Sequence, residues 1–574
     1  MRRILTLIFI GLLGIVYADN LSAPKAEFRG VWLSTVANID WPVDKHDSES
    51  KKQADLINYM DVLKENGINS VLFQVRPACD AMYKSELEPW SYWFSGTQGE
   101  GPSADSLWDP LAFAIREAHK RGMELHAWVN PYRAVHKPAM MDSAFYMHES
   151  HVAKQHPEWL LKFSSVYILD PGKAEVRDYI YEVFMDIVNR YDIDGLHMDD
   201  YFYPYQQITN EDSLTFVNES RGIEDIHDWR RDNINTLVER VSKSIDKSKP
   251  WVKWGISPFG IYRPGVPEGI QGFDAWSVLY CDPIAWLNAG TVDYITPQCY
   301  WPHGGGQDYA KLIPYWAQKA KKAKRHFYPG QAMYRAGTDK FPEGEMPRQI
   351  RLNRATDGCQ GSVYFTANNF FANPKNTMDS LKLDLYKTRA LWPTYDHQKG
   401  KKVKTPGSFA QRQGADVILS WDEIPEAWAY VVYRSKTPKT INKAEAILDV
   451  VPGAQDLYMD ETNEQWFYAL TSLNHYKEEG KLVFTSNDFV TPLKPAYTSS
   501  LKGMFVPFTW EKYPQATSYH IQVALDKDFE NIIYEEKLLS GRRINKRLPR
   551  KLSYYWRVKA DNTENWSPVW IFSR

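Results

Sequence analysis

Short hydrophobic runs alternate with longer amphipathic segments from Phe28 to about Lys387. The short runs are rich in β-branched and aromatic residues, whereas the longer segments carry apolar residues at helical spacing, as in AEVRDYIYEVFMDIVNRY from Ala174. This alternation is typical of parallel strands joined by crossover helices. Eight candidate strands begin at Phe28, Ile68, Met123, Ile193, Trp251, Val292, His326 and Cys359. The pattern therefore predicts an α/β fold, a (β/α)8 TIM barrel. The alternative is an open doubly wound sheet, but no glycine-rich phosphate loop follows an early strand.

The pattern changes after residue 395. Residues 396–408 have few apolar positions and several lysines, which indicates a solvated linker. Beyond them come short alternating strands separated by turn residues, which predict two all-β sandwiches at residues 409–494 and 495–574. Trp421 and Trp510 each precede a tyrosine by nine residues, at Tyr430 and Tyr519, so the two modules look like copies of one architecture. They resemble fibronectin type III modules.

The N-terminus has the character of a secretory signal. MRRILTLIFIGLLGIVYADN combines a positive start, an apolar stretch and small residues before a cleavage expected after Ala18. We therefore predict a signal peptide at residues 1–18 and a barrel domain at residues 19–395. No later segment offers the length of apolar sequence that a bilayer requires, so we expect an exported protein without an integral membrane span.

Composition narrows the choice of partner. Lys plus Arg number 69 and Asp plus Glu number 71, so the chain has no basic excess to attract nucleic acid. Aromatic residues make up 14% of the chain, and their rings can lie flat on sugar faces. A polysaccharide is therefore the expected partner. The four cysteines are too few and too widely spaced for a disulfide framework or a zinc site, so we expect buried free thiols, no metal and no cofactor.

Polar and aromatic residues collect where the predicted strands end. In a TIM barrel the loops after the strands converge on one mouth, which is where catalysis takes place. Amide, guanidinium and aromatic groups there can bind sugar hydroxyls and sugar faces. The predicted substrate-binding residues are Trp41, Gln74, Arg76, His126, Asn130, Tyr132, Arg133, His197, Tyr201, Tyr203, Gln298, Tyr300 and Trp301.

The fourth candidate strand ends in two carboxylates, in DGLHMDDYFYPY from Asp194. Strand side chains alternate, so His197 and Asp199 share one face, and Asp200 joins Asp199 if the chain bends there. Two close carboxylates repel each other, so one keeps its proton near neutral pH and supplies the acid and base of glycosidic cleavage. Asp199 and Asp200 are therefore the predicted catalytic residues.

The same residues are also compatible with structural or metal-binding roles. The aspartates can cap a helix or order a loop, and His197 can be a buried hydrogen-bonded residue. His197 with Asp199 could instead hold a divalent metal, although no second carboxylate cluster stands at another strand end. Arg29, Arg76 and Arg133 can each bind a substrate carboxylate or form an ion pair inside the barrel.

Several long motifs resemble glycosyl-hydrolase-like family ten, a group of exported bacterial barrel proteins. They are EFRGVWLSTVANIDWP from Glu27, FQVRPACDAMYKSELEPWS from Phe73, HAWVNPYR from His126, LDPGKAEVRDYI from Leu169, DGLHMDDYFYP from Asp194 and TPQCYW from Thr296. The resemblance implies a TIM-barrel glycoside hydrolase, with cell-wall glycan as the substrate linked to some members. Cys79 stands where the family is expected to have glycine.

The fourth-strand motif is also distantly similar to that of family-18 chitinases, DGLDLDWEYP. The chitinase acid glutamate falls on Tyr201 here, so that mechanism cannot be copied and the acid role passes to Asp199 or Asp200. Tyr300 falls where chitinases place a tyrosine that contacts the N-acetyl group, which implies an N-acetylhexosamine substrate. Two hypotheses compete with an exported glycoside hydrolase: a carbohydrate-binding protein without turnover, and a metal-dependent polysaccharide deacetylase.

Overall fold

Nine parallel strand segments build the N-terminal domain. The computed structural model describes residues 23–574 except 104, 137–146, 414–415, 486–488 and 551, so the predicted signal peptide lies outside the described residues. The segments are β1 (Phe28–Leu33), β2 (Ser70–Arg76), β3 (Glu124–Val129), β4 (Gly195–Met198), β5 (Lys253–Ile256), β6 (Tyr294–Ile295), β7 (His326–Phe327), β8 (Gly330–Ala332) and β9 (Gly361–Phe365). From β1 to β7 each pairs with the next along the chain, and β9 pairs with both β8 and β1.

The sheet closes on itself through β7 and β8, which are two halves of one strand. β7 pairs with β6, and β8 pairs with β9. Between them the Tyr328 amide donates to the Ile295 carbonyl (3.1 Å), and the Val363 amide donates to the Pro329 carbonyl (3.0 Å). Proline has no N–H to donate, which accounts for the interruption at Pro329. The described chain therefore forms the predicted eight-stranded TIM barrel.

Eight helices follow the strands on the outside of the barrel. They are α1 (Glu49–Glu65), α2 (Pro110–Lys120), α3 (Ala174–Arg190), α4 (Ile226–Ser248), α5 (Pro283–Ala289), α6 (Tyr309–Lys322), α7 (Glu345–Ala355) and α8 (Thr377–Leu383). On α3 the residues Val176, Ile180 and Val183 are fully buried, so the predicted apolar stripe faces the sheet. Short helices in the loops span Tyr92–Ser95, Val152–Gln155, Ser213–Glu219, Ala275–Val278 and Asn368–Ala372, and one loop holds a small antiparallel sheet of Arg133–Val135, Leu160–Lys162 and Tyr167–Leu169.

Large rings fill the barrel interior because small residues face them on neighbouring strands. A Cβ atom on Gly255 would lie 1.9 Å from the Tyr294 ring, and one on Gly195 would lie 2.5 Å from the His126 ring. Both glycines therefore make room for a bulky inward neighbour. The resulting core is closely packed with aromatic and polar rings.

The chain after the barrel forms small antiparallel sheets. In the first module, a three-stranded sheet faces a four-stranded sheet. The three strands are Ser408–Gln413, Asp416–Trp421 and Leu457–Glu461, and the four are Ala429–Ser435, Ile447–Pro452, Phe467–Leu473 and Val483–Phe484. In the second module, a three-stranded sheet faces a five-stranded sheet. The three strands are Pro492–Lys494, Val506–Trp510 and Arg543–Lys546, and the five are Ser499–Ser500, Tyr519–Ala524, Ile532–Leu539, Ser553–Ala560 and Trp570–Ser573. Trp421 and Tyr430 pack with ring centroids 5.5 Å apart, and Trp510 and Tyr519 do the same. The two modules thus repeat one ring pair, while their fibronectin type III character stays a prediction.

The sequence predicts free thiols and no membrane-spanning helix. Cys79, Cys281, Cys299 and Cys359 are free thiols. Within the described part of the chain, no helix combines the length and the apolar character that crossing a bilayer requires.

Candidate active site

The barrel mouth holds a cavity of about 220 Å³ at the carboxyl ends of the strands. Seven of the predicted site residues line it: Gln74, Arg133, Asp199, Asp200, Tyr201, Gln298 and Tyr300. Seven further residues complete the wall: Trp32, Ser34, Val36, Ile39, Trp128, Ser257 and Phe365. The lining thus joins two carboxylates, one guanidinium, two amides and several aromatic rings in one concave site. Such a combination suits a ligand with both hydroxyl groups and apolar faces.

Asp199 lies just beyond the end of β4 and faces the cavity. Its Oδ2 atom accepts hydrogen bonds from Trp128 Nε1 and Asn130 Nδ2, each at 3.1 Å. The only main-chain donor found near its other oxygen among the described residues is the Tyr201 amide, at 3.5 Å. One carboxylate oxygen is therefore fixed by side chains, and Oδ1 remains available to a ligand in the cavity.

Asp200 also lines the cavity because β4 ends at Met198 and the chain bends there. The Tyr205 hydroxyl donates to its Oδ2 atom, and Gln298 also hydrogen-bonds the carboxylate. Burial raises the pKa of Asp200 above its ordinary value, and these two hydrogen bonds oppose the rise. The two aspartates consequently meet different partners within one site.

Burial raises the pKa of Asp199 to about 7, and the Asp200 carboxylate acts in the same direction while Arg133 acts against it. A carboxyl group with a pKa near 7 holds its proton for much of the time at neutral pH. Asp199 is therefore poised to give a proton to a bound ligand and to take one back. This is the property that acid–base catalysis requires.

Gln74 presents an unused donor to the cavity. Its Oε1 atom accepts from the amides of Thr35 (3.0 Å) and Val36 (2.8 Å), which fixes the orientation of the side-chain amide. Its Nε2 atom is buried and has no hydrogen-bond partner among the described residues. Because a buried polar group without a partner is costly, a ligand oxygen in the cavity would satisfy it.

Aromatic rings form two sides of the cavity. Tyr201 is 38% exposed, and the Arg133 guanidinium lies 4.5 Å from its ring centroid. On the other side Tyr300 packs against Phe365, with ring centroids 6.0 Å apart. Arg133 itself donates to the Pro77 carbonyl through Nε (3.0 Å) and Nη2 (2.8 Å), so its position is set by the backbone. Rings held in this way offer flat apolar surfaces to a sugar.

His197 lies beneath the cavity in a hydrogen-bonded column. Trp32 Nε1, which can only donate, lies 3.2 Å from His197 Nε2, so Nε2 accepts and the ring proton resides on Nδ1. Nδ1 lies 3.0 Å from the Tyr294 hydroxyl, and Ser257 Oγ lies 3.0 Å from Nε2. Burial lowers the pKa of His197 well below its ordinary value. The ring is thus neutral and held at both nitrogens, which matches the buried hydrogen-bonded role.

A metal ion would require a different arrangement of these groups. His197 cannot bind a metal without giving up its bond to Trp32 or Tyr294. In the part of the chain that the structure describes, no three His, Cys, Asp or Glu side chains come together in a manner that could hold a metal ion.

The remaining predicted site residues lie away from the cavity wall. Arg76 is fully buried and forms an ion pair with Glu88 (2.5 Å), as Arg29 does with Glu27 (2.7 Å), so both take the ion-pair alternative. Asn130 is buried behind Asp199 and positions it. The others are Trp41, which donates to the Lys52 carbonyl; His126 and Tyr132, which are fully buried; Tyr203, which bonds Asn233; and Trp301, which packs on Phe259.

Sequence reasoning missed Trp32, Trp128 and Phe365 as cavity residues. All three belong to strands and share the inward face, Trp32 on β1, Trp128 on β3 and Phe365 on β9. Strand alternation could have found Trp128, because it lies between His126 and Asn130 on the same face. Trp32 and Phe365 are apolar residues within buried strands, and the sequence does not distinguish them from core residues.

A closed parallel barrel with paired carboxylates and aromatic walls at its mouth is an arrangement that glycoside hydrolases use. The chain belongs to the glycosyl hydrolase-like 10 family, whose profile matches residues 27–343. It is 34% identical over 507 residues to glycosyl hydrolase YngK of Bacillus subtilis (strain 168), which covers 83% of this chain and 97% of that protein. It is 34% identical over 364 residues to glycosyl hydrolase DigH of Escherichia coli (strain K12), and this match covers 59% of this chain and 82% of that protein.

Among solved structures, the chain is similar to the PgaB (BpsB) glycoside hydrolase domain from Bordetella bronchiseptica. The TM-score is 0.41 and the sequence identity is 14%, over 63% of this chain and 99% of that one.

Proposed function

We propose that this protein is an exported glycoside hydrolase that cleaves a polysaccharide by carboxylate acid–base catalysis. The observation that carries the proposal is the pair Asp199 and Asp200, which lie side by side in the wall of an aromatic-lined cavity with the pKa of Asp199 raised to about 7. Asp199 gives its proton to the glycosidic oxygen as the bond to the leaving sugar breaks. Asp200 is the partner carboxylate. It either stabilises the oxocarbenium-like centre or takes the proton of the water that attacks it.

The substrate we propose is an N-acetylhexosamine-containing cell-wall glycan. The position of Tyr300 in the cavity supports this choice, because its ring faces the same space as the two aspartates. Gln74 Nε2 and Gln298 supply amide groups that suit the hydroxyl and N-acetyl groups of such a sugar. Delivery to the cell envelope follows from the proposed signal peptide at residues 1–18.

Product analysis tests this function directly. The full-length protein is incubated with intact and with peptide-free cell-wall glycan, and with a panel of neutral polysaccharides. Released reducing ends are then counted and the products are identified by mass. We expect saccharide fragments from the cell-wall glycan. Tight glycan binding without any new reducing ends would instead favour a binding protein without turnover.

The pH dependence of kcat/KM reports the proton on Asp199. Since the proposed acid must be protonated and its pKa is raised to about 7, activity is expected to fall as pH rises through about 7 and to drop about tenfold per unit above it. The measurement is initial rates from pH 5 to 9, with tryptophan fluorescence recorded at each pH to exclude unfolding. A rate that stays level up to pH 9 would remove Asp199 from the acid role.

The Tyr300 ring is expected to bind substrate through its face. Tyr300→Ala should raise KM by about twofold to twelvefold, because a ring contact contributes about 0.5–1.5 kcal/mol. Tyr300→Phe keeps the ring and serves as the matched control. If Tyr300→Phe is impaired as severely as Tyr300→Ala, the hydroxyl rather than the ring is the binding group. Steady-state kinetics on peptide-free glycan separates the two.

A further inference from the structure

A second candidate binding site lies at the opposite end of the barrel, around the lysine-rich stretch KGKKVK at residues 399–404. Instead of extending into solvent as a linker, this stretch is bonded to the first sandwich. The Gly400 amide donates to Glu478 (3.1 Å), Asn474 Nδ2 donates to the Lys401 carbonyl (3.3 Å), and Ser472 Oγ donates to the Val403 carbonyl (2.8 Å). The lysines are thus presented from an anchored backbone.

The anchored stretch forms one wall of an open groove of about 650 Å³. The groove is also lined by Trp251, which lies just before β5 and so at the amino ends of the barrel strands, and by the sandwich residues His475 and Tyr476. The candidate active site lies at the carboxyl ends of the same strands. The groove is therefore a separate site that bridges the barrel and the first sandwich.

The groove carries an excess of positive charge. Lys399, Lys401, Lys402 and Lys404 all line it, and none of their ammonium groups has an ion-pair or hydrogen-bond partner among the described residues. Among the lining residues the acidic one is Glu426, which is exposed; nearby, the Glu478 carboxylate is engaged by Gly400 and Asn474, and Asp192 and Asp194 act on His475. The chain as a whole has a net charge of −2, so the positive charge here is local.

Aromatic side chains form another part of the groove. The centroids of the Trp251 and His475 rings lie 5.3 Å apart, and Gly400 lies against the Tyr476 ring, where a Cβ atom would lie 2.3 Å from Cδ2. The glycine in KGKK thus lets the lysine stretch lie along an aromatic surface. Rings suit the apolar faces of sugars, and ammonium groups suit anions.

We propose that this groove binds a glycan chain that carries carboxylate groups. The sugar rings lie on Trp251 and Tyr476, and the carboxylates pair with the four lysines. This binding does not involve Asp199 or Asp200, so it is independent of any turnover at the barrel mouth. It gives the first sandwich and the lysine stretch a role in holding an acidic polysaccharide.

Binding of polygalacturonate to the full-length protein tests the proposal. The variant Lys399→Gln/Lys401→Gln/Lys402→Gln/Lys404→Gln is expected to bind at least about tenfold more weakly, because each exposed ion pair contributes roughly a twofold to fivefold factor. Raising the salt concentration should weaken wild-type binding in the same direction. Neutral dextran of similar length should bind weakly to both proteins.

A matched control removes two exposed lysines elsewhere, as Lys322→Gln/Lys382→Gln, beside the groove variant Lys401→Gln/Lys402→Gln. Only the groove variant should lose affinity. Equal losses in both pairs would show a general charge effect and overturn the proposal. It would also be overturned if Asp199→Asn weakened binding as much as the lysine changes, or if single-stranded DNA bound as tightly as polygalacturonate.

Discussion

Asp199→Asn is expected to lower kcat on peptide-free cell-wall glycan by about a hundredfold to ten-thousandfold. The asparagine is nearly isosteric and can still accept from Trp128 and Asn130, so substrate binding should change little. It cannot donate the proton that the leaving oxygen needs. The loss should therefore appear in kcat rather than in KM, and the fall in activity above about pH 7 should disappear in the residual rate.

Asp170→Asn is the matched control for this variant. Burial raises the pKa of Asp170 to about 6, and its carboxylate accepts from Thr215 (2.6 Å) and the Gly172 amide (2.9 Å), but it does not line the cavity. The same chemical change at this second buried carboxylate should leave kcat within about threefold of the wild type. Full activity in both Asp199→Asn and Asp200→Asn would exclude the pair from the mechanism.

The barrel strands could be predicted from the sequence because their signal is local. A buried strand is a short apolar run, and the helix after it has its own spacing of apolar residues. The seventh predicted strand shows that this local signal gives the position of a strand but not its interruptions. HFYPGQAMYR was predicted as one strand, and it does occupy one strand position, but Pro329 divides it into two segments because it has no amide to donate.

The depth of a side chain along the barrel axis could not be predicted. Alternation says that His126, His197 and Asp199 face inward, but the height of each residue depends on how the strands are staggered against one another. The structure places His126 and His197 in the packed interior and Asp199 at the mouth. The ion-pair partner of Arg76 could not be predicted either, because Glu88 lies in a loop whose path the sequence does not specify.

The contact between the barrel and the first sandwich could not be predicted from the sequence either. Lys477 comes from a turn of the sandwich, more than 280 positions after the residue it pairs with. Its ammonium group is buried, 2.8 Å from Asp194 and 3.5 Å from Glu124, and lies 3.7 Å from the Trp428 ring centroid. Only the folded arrangement of both domains brings these groups together.

The charges at this contact balance one another. Glu124 pairs with Lys253, and Asp194 pairs with Lys477 and with His119 (2.7 Å). Burial alone would raise the pKa of Asp194, but Lys477 and His119 hold it well below its ordinary value. Both carboxylates therefore remain ionised inside the protein. Lys477, which belongs to the sandwich, therefore adds a cation to those that Lys253 and His119 supply from the barrel.

Lys477→Met is accordingly expected to lower the free energy of unfolding by up to about 3–5 kcal/mol, because it leaves the buried Asp194 carboxylate with His119 as its remaining cation. The measurement is the midpoint of urea unfolding of the full-length protein, followed by fluorescence. The exposed Lys481→Met, a few residues further along the chain, is the control and should stay within about 0.5 kcal/mol of the wild type.

The double variant Lys477→Met/Asp194→Asn identifies the cause of the loss. Replacing the Asp194 carboxylate should recover a substantial part of the stability, since the cost lies in the buried charge that lost Lys477 rather than in missing methylene contacts. A simple sum of the two single effects would show that Lys477 acts through packing on Trp428. Wild-type stability of Lys477→Met would mean that this ion pair between the sandwich and the barrel does not stabilise the protein.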